Sequence, residues 1–280
     1  MIRKILFPVD FSPSCTAMAA YVQRAAALCG ATVSLVHVCD LASHSGFELY
    51  ARPGNEIAED HWNVASEKLD YFLISEFPPA TSARILLAGD AASLIAETAK
   101  KSECDLIVMP THAGRFRRML LGSTAAKVLD GAECPVLTTQ HAEAVAPRSL
   151  EHRRWVCAVD LSSDSLRVLR SAKSAAAEVG ATLSLVHVIP AVGASAAADL
   201  TSGEQAAMRR RLSHLATAAG FDGDVNIVAG PVKETLLHAV AESHADVLVV
   251  GRSARSGPLG RLRDLAYALI RDSVCPVVSV

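Results

Sequence analysis

Gly30-Ala31-Thr32-Val33-Ser34-Leu35-Val36-His37-Val38 returns 150 residues later as Gly180-Ala181-Thr182-Leu183-Ser184-Leu185-Val186-His187-Val188, with only Val33 changed to Leu183. A glycine that can close a helix in the left-handed conformation leads each phrase. The β-branched, apolar run behind it predicts a buried strand. The phrase is therefore a helix-to-strand joint. Its recurrence at this distance in a chain of 280 residues predicts two copies of one small domain rather than a solenoid.

Working outward, copy one reads as strands at 4–9, 33–38, 82–88, 106–109 and 136–139. Between them lie helices from Pro13 to about Cys29, Ile57 to Glu76, Ala91 to Lys101, and from Gly122-Ser123-Thr124 onward. Ser12 suits the N-cap and Pro13 the first turn of the first helix. The later landmarks of copy two fall 141 residues on: Gly230 answers Gly89, Asp246 answers Asp105, and Cys275-Pro276 answers Cys134-Pro135. Nine residues are thus missing from copy two between its second and third strands, where loops tolerate length change. Residues 1–140 form the first domain, 141–153 a linker without hydrophobic period, and 154–280 the second domain. Strands that alternate with helices pair in parallel, which predicts two open α/β sheets of Rossmann-like type with helices on both faces.

Composition narrows the function classes. The 27 basic and 29 acidic side chains nearly balance, so nothing points to nucleic acid. No apolar run reaches the length of a membrane span or a signal peptide. Seven scattered cysteines without a C-x-x-C pair fit reduced thiols in the cytoplasm and no zinc site. No P-loop, dinucleotide fingerprint, zincin or nucleophile-elbow motif is present.

Ligands of open parallel sheets bind beyond the carboxyl ends of the strands. Two loops of each copy carry suitable chemistry there. One follows the first strand and holds Asp10 or Asp160. The other follows the fourth strand and is rich in Arg and Gly, with Arg115, Arg117 and Arg118 in copy one and Arg252, Arg255, Arg261 and Arg263 in copy two. Helix capping is the plain alternative for the acids, and a solvated loop face for any single Arg. His37 and His187, inside strands, read as structural. His112 has no partner that spacing would identify as catalytic.

Pro8-Val9-Asp10-Phe11-Ser12, Leu35-Val36-His37-Val38, Asp105-Leu106-Ile107-Val108-Met109, Thr111-His112, Leu120-Leu121-Gly122-Ser123 and Cys134-Pro135-Val136 together resemble the universal stress protein family, and the likeness extends to copy two. The resemblance implies a five-stranded sheet ordered 3-2-1-4-5 in each copy. Its nucleotide-binding members carry a glycine, two residues, a second glycine, nine residues, then Gly-Ser or Gly-Thr, and hold phosphates on backbone amides at a helix start. Here Pro110 and Ala113 stand for the first two glycines, Gly114 follows at once, and Gly122-Ser123-Thr124 is intact. Copy two keeps Gly251 but has Ala254, and Arg263-Asp264 replaces Gly-Ser.

The resemblance therefore implies an adenine nucleotide such as ATP in copy one, with Asp10 and Val38 at the nucleoside and Gly114, Arg115, Gly122, Ser123 and Thr124 at the phosphates. Copy two reads as degenerate, because an acid at a helix start repels phosphate. A cytoplasmic stress-response regulatory module is expected, without a metal beyond nucleotide-associated Mg²⁺. An interaction scaffold with empty sites and an enzyme of slow ATP hydrolysis or adenylyl transfer are the opposed readings. The family also implies pairing through the final strands, 136–139 and 277–280, within the chain or in a homodimer.

Overall fold

The computed structural model describes residues 1–39, 54–111, 122–139, 152–190, 202–252 and 261–280. They fall into two compact units whose bulk is residues 2–137 and 152–280.

The first unit runs β1 (Lys4–Pro8), α1 (Pro13–Cys29), β2 (Thr32–Cys39), α2 (Gly54–Tyr71), β3 (Ser82–Ala88), α3 (Ala91–Lys101), β4 (Leu106–Pro110), α4 (Ser123–Gly131) and β5 (Val136–Thr139). Its strands lie in the order β3-β2-β1-β4-β5. β1 pairs in parallel with β2 and β4, and β2 with β3. The reason is in the side chains: Ile5, Leu6, Phe7, Leu35, Val36, Ile107 and Val108 are all buried, as strands covered on both faces require. The repeated phrase does what its residues predict. Gly30 closes α1 at φ 63°, and β2 starts at Thr32.

The second unit runs β6 (Arg154–Ala158), α5 (Ser165–Glu178), β7 (Thr182–Pro190), α6 (Ser202–Ala219), β8 (Val225–Gly230), α7 (Val232–Glu242), β9 (Val247–Val250), α8 (Arg261–Asp272) and β10 (Val277–Ser279). Its strands lie in the order β10-β9-β6-β7-β8, and the β6–β7, β6–β9, β7–β8 and β9–β10 pairs are parallel. Leu185, Leu248, Val249 and Leu269 anchor its core. The α/β class expected from the strand–helix alternation is the class observed.

One acid fixes the start of the central strands in each unit. Asp105 Oδ2 accepts from the amides of Arg3, at 2.7 Å, and Lys4, at 3.0 Å. Asp246 Oδ2 accepts from Arg153 and Arg154, both at 2.8 Å. Each clamp ties the start of the first strand of its unit to the start of the fourth.

The second helix departs from expectation. α2 ends at Tyr71, not Glu76, because Arg84 on β3 gathers the carbonyls that would continue it. Its guanidinium donates to Leu69 at 2.7 Å, Phe72 at 2.9 Å and Phe77 at 2.9 Å. Leu73 then turns left-handed, at φ 51°. No helix among the described residues is long and apolar enough to cross a membrane. No disulfide joins any of the seven cysteines.

Candidate functional site

The site begins where β1 stops. The Val9 amide still donates to Val36, at 2.9 Å, and the chain then leaves the sheet at Asp10. Asp10 Oδ1 accepts from the Ser12 amide at 3.0 Å and from the Cys15 thiol at 3.1 Å. Ser12 caps α1, its side chain accepting from the Cys15 amide at 3.3 Å, and Pro13 opens the helix as the sequence predicts. Pro8 pairs with Val36, so two steps further on Val38 lies level with Asp10 on the neighbouring strand. β4 flanks β1 on its other side, so the carboxyl end of β4 lies beside that of β1. The carboxyl ends of β2, β1 and β4 are brought together in this way.

The phosphate side of the expected site is described at its helix. Gly122 is the N-cap of α4, with no side-chain cap, and the first turn of Ser123, Thr124 and Ala125 holds no acid. The Ala126 amide bonds back to the Gly122 carbonyl at 2.9 Å. Gly114 and Arg115 lie outside the described residues, as do His112, Arg117, Arg118 and Arg255.

Copy two repeats the strand-end acid with a change of partner. Asp160 Oδ1 accepts from the Ser162 amide at 2.9 Å and from Ser165 Oγ at 3.0 Å, so Ser165 stands where copy one has Cys15. Burial works against the Asp160 charge, but the bonds from Ser162 and Ser165 overcome it and hold the carboxyl below the usual carboxylate range. Asp160 borders a cavity of about 380 Å³ at the ends of β6, β7 and β9. Ser165, His187, Gly251 and Arg252 line it with apolar groups from α7 and α8, among them Leu236 and Leu269. The kept glycine has a packing cause: a Cβ at Gly251 would stand 3.1 Å from Val168 Cγ2.

The last helix of copy two does not start where the glycine–serine alignment places it. α8 begins at Arg261, so Asp264 is the fourth helical residue rather than the first. Arg261-Leu262-Arg263 are good helix formers, and they are helical ahead of Asp264.

Two features at the strand ends escape a reading by motif. Phe11 and Leu161, the residues after the two acids, are both left-handed, at φ 63° and 61°. Non-glycine residues rarely hold that conformation, and it recurs here at equivalent positions of both copies. The two strand histidines also act in the same way. His37 Nδ1 donates to the Val9 carbonyl at 2.7 Å, and His187 Nδ1 to Val159 at 2.8 Å. Each ring thus pins the second strand to the last residue before the acid, and its tautomer is set by the carbonyl. In copy one the Phe11 ring also packs on His37 at 4.3 Å between centroids, and Phe72 packs on Phe11 at 5.3 Å. The exact offset of 150 between the two stretches was the available signal for both features. Among the described residues no three His, Cys, Asp or Glu side chains gather as a metal site would require.

A parallel α/β unit with helices packed on its strands and an acid at the end of its first strand is a Rossmann-like fold. The family model described as "Universal stress protein family" matches residues 1–140 and again 151–280, and the chain belongs to that family. A universal stress protein A homologue of Coxiella burnetii is 29% identical over 110 residues, 39% of this chain and 75% of the relative. A universal stress protein of Methanocaldococcus jannaschii is 29% identical over 150 residues, 50% of this chain and 83% of the relative. Among solved structures, a universal stress protein from Archaeoglobus fulgidus superposes with a TM-score of 0.71 at 24% identity, covering 99% of this chain and 97% of that one. That likeness is one of fold.

Proposed function

We propose that this tandem universal stress protein is a regulatory binding module that takes one adenine nucleotide, in copy one. The observation that carries the reading is the start of α4. Gly122, Ser123 and Thr124 present a helix terminus with no acid in its first turn, beyond the strand next to Asp10. Such a terminus attracts phosphate. Asp10 and Val38 flank the nucleoside, and Gly114 and Arg115 complete the phosphate side. Mg²⁺ enters only with the nucleotide.

Titration calorimetry of ATP on the intact chain tests this. One site per chain is expected, weakened at least about tenfold by Ser123→Asp, since removing a helix-terminus contribution and adding repulsion amounts to roughly 1.4 kcal/mol or more. Two equal sites, or indifference to Ser123→Asp, would overturn it. Incubation with ATP and Mg²⁺ separates a module from an enzyme: ADP or AMP formation abolished by Asp10→Ala would establish turnover.

A second reading rests on the cavity of copy two. His187 is 5% exposed, its ring borders that cavity, and its Nε2 has no partner among the described residues. A nucleoside-sized guest there would make copy two the occupied half. Loss of ATP binding in Asp160→Ala, with Asp10→Ala unaffected, would decide for it.

A further inference from the structure

A groove on the second unit adjoins the cavity at the strand ends and shares Ser162 and Ser165 with it. Leu161, Ser162 and Ser165 form one wall, and Ala207, Arg210, Arg211, His214 and Leu215 of α6 the other, around an open volume of about 540 Å³. The α6 residues recur at i, i+3, i+4, i+7 and i+8, so they form one flank of the helix. Leu212 and Ala216, the buried positions of α6, lie on a different face. The flank is therefore not the one that packs the core, and it carries the basic side chains Arg210, Arg211 and His214.

The charge of this helix differs between copies. α2 carries Glu56, Glu59, Asp60, Glu67 and Asp70 against Lys68 alone. α6 carries Arg209, Arg210 and Arg211 against Glu204 alone. One element of a duplicated fold has thus changed sign, in the copy whose phosphate loop departs further from the family pattern. The groove also has structural support. Arg211 donates to the Leu161 carbonyl at 3.3 Å, which fixes one guanidinium at its edge. Arg170 on α5 donates to the Ala218 carbonyl at 2.9 Å and holds the far end of α6. Of the acids nearby, Asp160 accepts from the Ser162 amide and the Ser165 hydroxyl, whose residues line both the groove and the cavity, and Asp164 is paired with Arg167 at 3.4 Å.

We infer that this groove binds a small oxyanion of two or more charges, a phosphate-bearing metabolite held by Arg210, Arg211 and His214. Guanidinium pairs make strong, directional bonds to such oxygens. The site is independent of the nucleotide reading, because it uses none of the residues assigned to copy one.

Inorganic pyrophosphate is the probe, titrated calorimetrically into the intact chain at low salt. One site is expected that persists in Ser123→Asp. It weakens about tenfold for each guanidinium removed in Arg210→Ala and in Arg210→Ala/Arg211→Ala. It also weakens several-fold between about 50 and 200 mM salt, as exposed charges are screened. His214→Ala with Arg210→Ala leaves the Arg211–Leu161 bond in place, so loss of binding there is not loss of folding. Absence of heat with the wild-type chain, unchanged affinity in the double variants, or loss only in Ser123→Asp would each overturn the assignment. Tighter binding of a phosphoserine peptide than of pyrophosphate would overturn the small-molecule class.

Discussion

The Cys15 thiol donates to Asp10 Oδ1 at 3.1 Å, and in copy two Ser165 Oγ fills the same place on Asp160 at 3.0 Å. The acid at the strand end is held by the first turn of the following helix in both, by sulfur in one and oxygen in the other. Burial, and then the Asp10 charge, push the Cys15 thiol up to about 12.

The raised thiol gives a prediction in alkali. A group whose folded value is raised contributes stability that is complete below its ordinary value of 9.0 and is lost as pH climbs toward about 12. The chain should therefore lose stability above about pH 9. Cys15→Ser, which adopts the solution native to copy two, should fold normally and reduce that loss, read from urea midpoints at pH 7 and 10. Cys157, buried and likewise pushed up to about 12, leaves a remaining share. Alkylation at pH 8 should spare both thiols until the protein is unfolded.

Arg84 holds three carbonyls at the end of α2. Arg84→Met keeps much of the stem and removes the donors, leaving half-buried acceptors without them. A loss of about 2–3 kcal/mol is expected, the scale of bonds to a charged group. Chemical unfolding measures it, and hydrogen exchange should quicken at residues 68–77 before elsewhere.

Asp272 joins the end of α8 to the start of α7. It accepts from Arg271 at 2.7 and 2.9 Å and pairs with Lys233 at 2.8 Å. The Arg271 bonds, ahead of an opposing burial and with Lys233 adding, hold its carboxyl well below the usual range. A lowered group contributes above its ordinary value of about 3.9 and loses that contribution as pH falls further. Asp272→Asn should cost about 1 kcal/mol at pH 7, given partial exposure, and distinctly less at pH 2. Thermal midpoints at the two pH values check the sign.

The two clamps, Asp105 and Asp246, make a matched pair of tests. Asp105→Asn and Asp246→Asn should each cost about 1–3 kcal/mol by weakening two charge-assisted amide bonds. Equal losses are expected, because the geometry is the same in both copies. A loss in one copy alone would show that the clamp is not the common cause.

Much of the architecture was legible because it depends on short-range rules. The glycine before Thr32, the Ser12-Pro13 start and the buried apolar strands each declare themselves locally, and the repeat supplied the domain count. The end of α2 did not, since it is set by Arg84 across the turn. The start of α8 did not, since alignment to Gly122 overlooked the helix propensity of Arg261-Leu262-Arg263. At the site, Asp10 was legible from its place after a strand. The Cys15 bond, the left-handed Phe11 and the His37 staple are matters of three-dimensional approach, visible beforehand only as positions repeated at a constant offset.

The clamps also explain how copy two could shed nine residues and keep its form. Asp105 and Arg3 are 102 residues apart, Asp246 and Arg153 93. Closing a chain segment costs free energy that grows only with the logarithm of its length, so the difference between the two closures is about 0.1 kcal/mol. In entropic terms the shortened segment was nearly free to vary, while the two amide bonds at its closure were not. Trimming or extending the stretch between β2 and β3 of either copy is accordingly a practical route to inserting a reporter without disturbing the sheet.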